Sequence, residues 1–205
     1  IKNIQLFYGP DFNVLSHASY RWLSEIFLYQ DPPRHTRVRG LVTQALTARR
    51  VTEMRPRVQA IADRLLDGVD ADGQMEVIHQ FAYKFPTLVM CDMLGLSSEE
   101  ASDEVLSQLN QAIADAFVVF EMRAFPDDVL ALADRQIEFL EDFFGKVFAA
   151  RRQNPQDDLA TGLVNARDET GPLSDHEMAT VAIGLFGAGF ETTAHMIGNG
   201  LLALH

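Results

Sequence analysis

Residues 174–205 read SDHEMATVAIGLFGAGFETTAHMIGNGLLALH, and this stretch dictates the architecture more than any other. Ser174 and Glu177 have the spacing of a capping box, in which two side chains satisfy free backbone N–H groups at a helix start. No proline interrupts residues 175–205. We therefore predict one long central helix over 175–205, about 46 Å at about 1.5 Å per residue. Such a length is unusual for a globular protein.

Glycine and polar residues interrupt this otherwise apolar helix. It contains five glycines, and each costs about 1 kcal/mol relative to alanine in a helix interior. We therefore expect close approach of a neighbour, or a bend. Glu191 and Thr192 place an acid next to an alcohol in this helix. A threonine hydroxyl can bond the carbonyl one turn back and open the helix locally. Such a pair is a candidate for proton delivery. The alternative is glycine-mediated helix packing, with Glu191 in solvent at an edge.

The rest of the sequence is also mainly helical in pattern. Asp31 precedes two prolines, which is typical of a helix start. Ser97 and Glu100 form a second capping-box pattern, and Gly95 is suited to end the helix before it. Asn154 and Pro155 mark another helix end. The predicted helices cover about residues 31–47, 52–66, 78–94, 97–120, 127–150 and 158–166.

Composition and charge exclude several classes of protein. The chain has 205 residues, 47% of them hydrophobic and 22% charged, with a net charge of −12. This is a globular composition that argues against a nucleic-acid partner. Cys91 is the single cysteine, so there is neither a disulfide framework nor a CxxC zinc site. No apolar run reaches the roughly 20 residues that span a bilayer. We expect a cytoplasmic protein without a membrane partner, and part of a longer chain.

A basic region stands out within this acidic chain. Residues 34–64 hold eight arginines and two acids, a net charge of +6. Within the stretch DPPRHTRVR (31–39), His35 and Arg39 are four residues apart and share one face of a helix, whereas Arg37 points elsewhere. Two donors on one face near a helix start suit a carboxylate or a phosphate. The alternative is a solvated basic face.

These segments, in their order and separation, resemble the cytochromes P450, haem-thiolate monooxygenases of the soluble bacterial kind. The matching stretches are DPPRHTRVR (31–39), AGFETT (188–193), DDL (157–159) and LSD (173–175). The similarity extends over roughly residues 21–205. It implies a mainly α, partial cytochrome P450-like fold, in which residues 1–205 form a single partial domain with the long helix at its centre.

The resemblance implies a set of cofactor contacts. His35 and Arg39 would bind the propionates of haem b in the intact parent protein. Ala188 and Gly189 would lie over the distal face of the haem, where small residues leave room for dioxygen. The family's axial cysteine follows the long helix and lies outside this chain, so no metal ligand is assigned here. Cys91 lies in an apolar helical pattern, and we expect it to be a small buried residue.

The resemblance also implies an activity. Glu191 and Thr192 would be the catalytic pair that delivers protons for dioxygen activation, with Thr193 auxiliary. The parent protein would insert one oxygen atom from dioxygen into a small apolar organic substrate. Electrons would come from NAD(P)H through a ferredoxin- or flavodoxin-type donor. The basic region is either the docking face for that donor or a solvated surface, and the arginines concerned are Arg34, Arg37, Arg49 and Arg50.

Two other functions remain open at this point. The first is a catalytically silent cytochrome P450-like helical module that binds or recruits a partner. The second ignores the resemblance: a helical bundle that binds an anionic ligand through His35 and Arg39 without haem. Monooxygenase activity requires the axial cysteine, so we expect this chain alone to be inactive.

Overall fold

The computed structural model describes residues 4–69, 73–96 and 101–205, and its regular structure is mainly helical, as predicted. A short antiparallel hairpin pairs β1 (Arg167–Asp168) with β2 (Gly171–Pro172). A π-helical turn, Ile78–Ala82, directly precedes the fifth helix. The α-helices are α1 (Gln5–Tyr8), α2 (Ala18–Glu25), α3 (Arg34–Ala45), α4 (Ala48–Leu66), α5 (Lys84–Leu94), α6 (Asp103–Phe117), α7 (Asp127–Gln153), α8 (Leu159–Asn165) and α9 (Asp175–Leu204).

The long helix α9 begins as the sequence predicts. The Ser174 hydroxyl accepts a hydrogen bond from the backbone N–H of Glu177 at 3.1 Å. The Glu177 carboxylate accepts one from the backbone N–H of Ser174 at 2.9 Å. This reciprocal capping box satisfies two free donors at the helix start. The helix then continues for 30 residues to Leu204.

The core lies where α7 and α9 cross the smaller helices. Helix α7 packs against α2, α6, α8 and α9, and α9 also packs against α5. The rings of Phe144 and Phe186 join α7 to α9, with their centroids 5.9 Å apart. On α2, the fully buried Trp22 stacks on Phe117 at 5.1 Å and donates its indole N–H to the carbonyl of Thr180 at 3.4 Å. These contacts fix α9 at the centre of the molecule.

Three glycines of α9 allow this close packing. A Cβ atom at Gly184 would lie 2.8 Å from the side chain of Ile26. One at Gly187 would overlap the ring of Phe117, and one at Gly189 would overlap the sulfur of Met90. By contrast, Gly200 has nothing within 4 Å of that position. The expectation of close approach to the helix backbone is therefore confirmed at these three glycines.

The buried polar groups of Asp158 at the start of α8 are satisfied by hydrogen bonds within the chain. Asp158, only 5% exposed, caps α8 by accepting the backbone N–H of Thr161 at 2.7 Å. Its other carboxylate oxygen accepts from Arg151 Nε at 2.5 Å, and its backbone carbonyl accepts from Arg50 at 2.8 Å. Arg151 also bonds the carbonyl of Gly95. This network ties α4, α7 and α8 to the end of α5.

Several helix boundaries differ from the prediction. Helix α3 begins at Arg34, and Asp31 does not cap it with its side chain, so that prediction was wrong. Helix α4 begins at Ala48 and not near residue 52, because the Thr47 hydroxyl accepts the backbone N–H of Arg50 at 3.2 Å. A proline inside α4, Pro56, does not end the helix.

The predicted helix over residues 78–94 is divided in the structure. Its first turn is π-helical, with the backbone N–H of Tyr83 bonded to the carbonyl of Ile78 at 2.9 Å. The predicted capping box at residues 97–100 and most of the turn at residues 70–73 lie outside the described residues. Helix α6 begins at Asp103, capped by Ser102, and ends at Phe117 in a 3-10 turn.

Helix α7 begins at Asp127, as predicted, and extends three residues beyond Ala150. Helix α8 follows its predicted bounds within one residue, with Asp158 as the cap. In the three described ranges, none of the helices combines the length and hydropathy that crossing a membrane requires.

Candidate active site

The exposed face of α9 carries Thr192 and Ala188, one turn apart. The Thr192 hydroxyl donates to the Ala188 carbonyl at 2.7 Å, which is the backward hydrogen bond that the sequence predicts. A hydroxyl carries a single proton, so this bond leaves the lone pairs of the Thr192 oxygen free to accept from an outside donor. Thr193 makes the same type of bond to Gly189 at 2.8 Å, but its side chain is half-buried.

Glu191 points into a different space from Thr192. Successive residues of an α-helix are rotated by about 100°, and the half-buried Glu191 lines a groove between α9, α6 and the π-helical turn. This Glu191 groove has a volume of about 340 Å³ and is also lined by Tyr83, Ser107, Asn110, Gln111, Ala114 and Phe190. The acid is therefore neither enclosed in the core nor on the open face of the helix.

The two small residues before the acid–alcohol pair lie on different faces. Ala188 is exposed beside Thr192, whereas Gly189 is half-buried against Met90 of α5. The packing contact alone explains why glycine is needed at position 189. Ala188 is the member of this pair that shares the exposed face with the Thr192 hydroxyl.

On α3, His35 and Arg39 lie one turn apart. His35 is half-buried, with its ring 6.4 Å from that of Phe27. The side chain of Arg39 is exposed. Within the described part of the chain, neither side chain forms an ion pair, in contrast to four neighbouring arginines. Both donors are therefore available to an anionic group.

Arg37 points the other way, as the helical spacing predicts. Its guanidinium lies 3.1 Å from a carboxylate oxygen of Glu177 and 3.3 Å from one of Asp168, and it donates to the carbonyl of Pro172 at 3.0 Å. Burial opposes ionisation of Glu177, but hydrogen bonds from Ser174 and the charge of Arg37 outweigh it and lower the pKa of this carboxyl. Arg37 thus fastens α3 to the hairpin and to the start of α9.

Three further arginines of the basic region, Arg34, Arg49 and Arg50, are also paired. Arg49 pairs with Glu53 at 3.1 Å and remains 86% exposed, whereas Arg50 is 23% exposed and bonds Asp157 and Asp158. Arg34 lies 3.5 Å from Glu25. Sequence reasoning counted these charges as one surface and missed that Arg37 and Arg50 serve internal contacts.

Comparison with known proteins identifies the family. A sequence model of the family Cytochrome P450 matches residues 1–205. The chain therefore belongs to the cytochrome P450 family, which depends on haem iron.

Individual relatives agree with this assignment. The putative cytochrome P450 133B2 of Xylella fastidiosa is 31% identical over 205 residues, which is 100% of this chain and 50% of that protein. Vitamin D(3) 25-hydroxylase of Pseudonocardia autotrophica is 35% identical over 180 residues. The alignment covers 87% of this chain and 41% of that protein. The chain spans about half the length of the curated relatives it matches.

A solved structure shares the fold. P450BioI in complex with hexadec-9Z-enoic acid ligated acyl carrier protein superposes with a TM-score of 0.82 at 26% identity. The match covers 95% of this chain and 48% of that one. The expected mainly α, partial cytochrome P450 fold is therefore confirmed.

His35 and Arg39 are suited to bind the propionate edge of a haem, whereas Cys91 is not suited to ligate its iron. His35 and Arg39 are donors without an ion-pair partner among the described residues, a set that suits carboxylates such as propionates. Cys91 is 1% exposed in α5, and burial raises the pKa of its thiol to about 12. The thiol is therefore protonated and enclosed, which does not suit a metal ligand. The expectation of a small buried residue is confirmed for Cys91.

Proposed function

We propose that the whole protein containing this chain is a haem-dependent monooxygenase. It inserts one oxygen atom from dioxygen into a small apolar organic substrate. The observation that carries this proposal is the pair in α9, where the Thr192 hydroxyl occupies the exposed face and the adjacent Glu191 carboxylate lines a polar groove. Membership of the cytochrome P450 family supports the same chemistry.

In this proposal the cofactor is haem b, held at its propionates by His35 and Arg39. When bound, haem supplies the redox chemistry that activates dioxygen. Two hydrogen-bond donors one turn apart neutralise carboxylates that would be costly to bury alone. Ala188 has no long side chain and leaves space for dioxygen beside Thr192, whereas Gly189, the other residue proposed for the distal face, packs against Met90.

The catalytic residues proposed are Glu191 and Thr192. The Thr192 oxygen can accept a hydrogen bond because its own proton is directed to Ala188. Glu191 is the group that transfers a proton toward the Thr192 side of the helix. General acid catalysis of this kind contributes about 10²–10⁴-fold to a rate.

Electrons are proposed to come from NAD(P)H through a ferredoxin- or flavodoxin-type protein. Such an acidic partner is attracted by exposed arginines. Arg34 and Arg49 are 45% and 86% exposed, and Arg37 and Arg50 only 23% each, so the first two are the better docking residues. The reduced single cysteine supports a cytoplasmic location.

The first test is spectroscopic. The whole protein is loaded with haem, reduced and exposed to carbon monoxide. We expect the Soret shift of a thiolate-ligated haem. A fully loaded protein without that shift contradicts the proposal and favours the catalytically silent binding module.

The second test separates chemistry from structure. We expect Thr192→Ala to lower product formed per NAD(P)H by about 10²-fold, with peroxide released instead. Thr193→Ala is the matched control, since it removes the same type of hydrogen bond from a half-buried position. Unchanged coupling in Thr192→Ala would contradict the role of the acid–alcohol pair.

A further inference from the structure

We infer that His176 makes the attachment of α2 to α9 sensitive to pH. In its protonated form it holds Glu25, at the end of α2, and Glu141, in the middle of α7, against the start of α9. These three residues are called the His176 cluster below. The inference is independent of the proposed function, because it concerns contacts among the helices of this chain and is tested without an activity measurement.

The imidazole ring of His176 lies between two carboxylates. Its Nε2 atom is 2.6 Å from a carboxylate oxygen of Glu25, and its Nδ1 atom is 3.5 Å from a carboxylate oxygen of Glu141. A neutral imidazole has one N–H group, whereas the protonated ring has two. Only the protonated ring can therefore serve both carboxylates. Imidazole is the side chain whose charge ordinarily changes between pH 5 and 8.

The surrounding charges favour a positive ring. The charged residues that act on the cluster from neighbouring helices are Arg21, Glu25, Arg34, Glu138 and Glu141. With all three carboxylates ionised these residues sum to a charge of −1, which a protonated His176 neutralises.

The helix that carries His176 adds two opposing influences. The first turn of a helix disfavours a positive charge, and Asp175 and Glu177 place acids on either side of His176 in that turn. Each of these acids has an arginine partner, Arg152 and Arg37 respectively. The carboxylates of Glu25 and Glu141 are therefore the groups that stabilise the protonated ring.

Glu141 acts in the same direction as His176 when the pH changes. It is 28% exposed, and burial raises the pKa of its carboxyl, although the charges of His176 and Arg21 oppose that rise. A carboxyl with a raised pKa in the folded state contributes stability that is lost as the pH rises. Loss of the charge on His176 also removes a partner as the pH rises. The cluster is therefore fully paired in mild acid and weakened in alkali.

Glu25 connects the cluster to α3. The carboxylate oxygen that contacts His176 also lies 3.5 Å from the guanidinium of Arg34, the first residue of α3. Helix α2 is held to α9 by a second contact as well, the hydrogen bond from the indole of Trp22 to the carbonyl of Thr180. That contact contains no titrating group. Deprotonation of His176 therefore loosens the last turn of α2, while Trp22 keeps the helix in place.

The test is hydrogen exchange at the backbone amides of residues 22–26, which close the last turn of α2. Exchange is measured by mass spectrometry in the whole haem-loaded protein at pH 6 and pH 8, and each rate is corrected for the intrinsic effect of pH. We expect the corrected rate to be about fivefold higher at pH 8, the size of effect that partly exposed ion pairs provide.

Two substitutions at position 176 separate titration from structure. His176→Arg keeps a positive charge at both pH values, so these amides should exchange slowly at both. His176→Gln has no charge at either, so they should exchange at the faster rate at both. The matched control is His17→Gln, because His17 pairs with Asp134 at 2.8 Å at the other end of α2. We expect that control to leave the pH dependence at residues 22–26 unchanged within twofold.

Each outcome decides the inference. Equal corrected rates at pH 6 and pH 8 in the parent protein overturn it. A pH dependence that survives in His176→Arg, or that disappears in His17→Gln, also overturns it, because another group is then responsible. If His176→Arg does not fold, Glu25→Gln removes the nearer carboxylate and should reduce the pH dependence below twofold. A fivefold dependence that persists in Glu25→Gln assigns the effect elsewhere and overturns the inference.

Discussion

Asp158 caps α8 and Glu191 lies within α9, and these two acidic residues have opposite surroundings. Both oxygens of the Asp158 carboxylate have partners, the backbone of Thr161 and the guanidinium of Arg151. Glu191 faces an open groove and has no hydrogen bond or ion pair within the described ranges. An acid closed in this way stabilises the fold, because a buried charge must be fully paired. An acid that exchanges protons must remain open to water.

The same contrast separates two arginines of α3. Arg37 is surrounded by acceptors from the hairpin and α9, whereas Arg39 is exposed without an ion pair among the residues described. Two residues apart, the side chains face opposite directions. The contacts within the chain therefore assign Arg37 to the fold and leave Arg39 available to an anionic group.

The largest effect is expected at the closed acid. Asp158→Ala leaves Arg151 buried without its partner and removes the cap of α8, so we expect a loss of about 3–5 kcal/mol in the free energy of unfolding. Denaturant unfolding measures it. Asp157→Ala is the control, since Asp157 is 89% exposed and should change stability by less than about 0.5 kcal/mol. Similar losses in both variants would break the comparison.

A second prediction compares closed and open positions along α9. Gly187→Ala forces a methyl group onto the ring of Phe117, and overpacking of this kind costs about 1–3 kcal/mol. Gly200→Ala meets nothing within 4 Å and should stabilise the helix by up to about 1 kcal/mol. Thermal unfolding of the two variants is the measurement. A stabilised Gly187→Ala variant would mean that α6 and α9 separate easily.

The smallest effect is expected for the two arginines and depends on pH. Arg37→Gln should lower stability by about 1 kcal/mol at neutral pH, because a partly exposed ion pair contributes little. The pKa of Glu177 is lowered in the folded state, so its contribution is present above its ordinary value and is lost as the pH falls through the folded pKa. The difference between variant and parent should therefore shrink in acid. A difference that persists there would exclude Glu177 as the cause.

Arg39→Gln is the counterpart at the open position. It should leave the stability of the protein unchanged within about 0.5 kcal/mol. In the whole protein it should weaken haem retention about tenfold, measured by transfer of haem to an acceptor protein. Loss of stability without loss of haem retention would reverse the roles of Arg37 and Arg39.

Most of the fold could be predicted from local sequence signals such as helix caps and helical periodicity. Capping at Ser174, the cap at Asp158 and the helical period of α7 are encoded within a few residues, and the structure follows them. Boundaries failed where two local signals competed. At α4, Thr47 captures the helix start ahead of the predicted one near residue 52. The π-helical turn was missed because its apolar pattern fits an α-helix equally well.

Contacts between residues far apart in sequence limited how much of the site could be predicted. Glu191 and Thr192 stand out in sequence because polar residues interrupt an apolar helix. The groove that Glu191 lines depends on α6, whose groove residues carry no motif. Arg37 finds Glu177 140 residues away, and Arg50 finds Asp157 107 residues away. No spacing rule could show that these two arginines are internal and that Arg39 is free of such pairing among the described residues.

The π-helical turn at Ile78–Ala82 has a consequence for how this protein can diverge. A π-helical turn holds about one residue more than an α-helical one. Losing a single codon, for Gln80 or Phe81, would reset the turn to an ordinary helix and rotate the preceding chain by about 100° relative to Tyr83. His79 and Tyr83 both line the Glu191 groove. One deletion could therefore remodel the Glu191 groove while every residue that lines it keeps its identity.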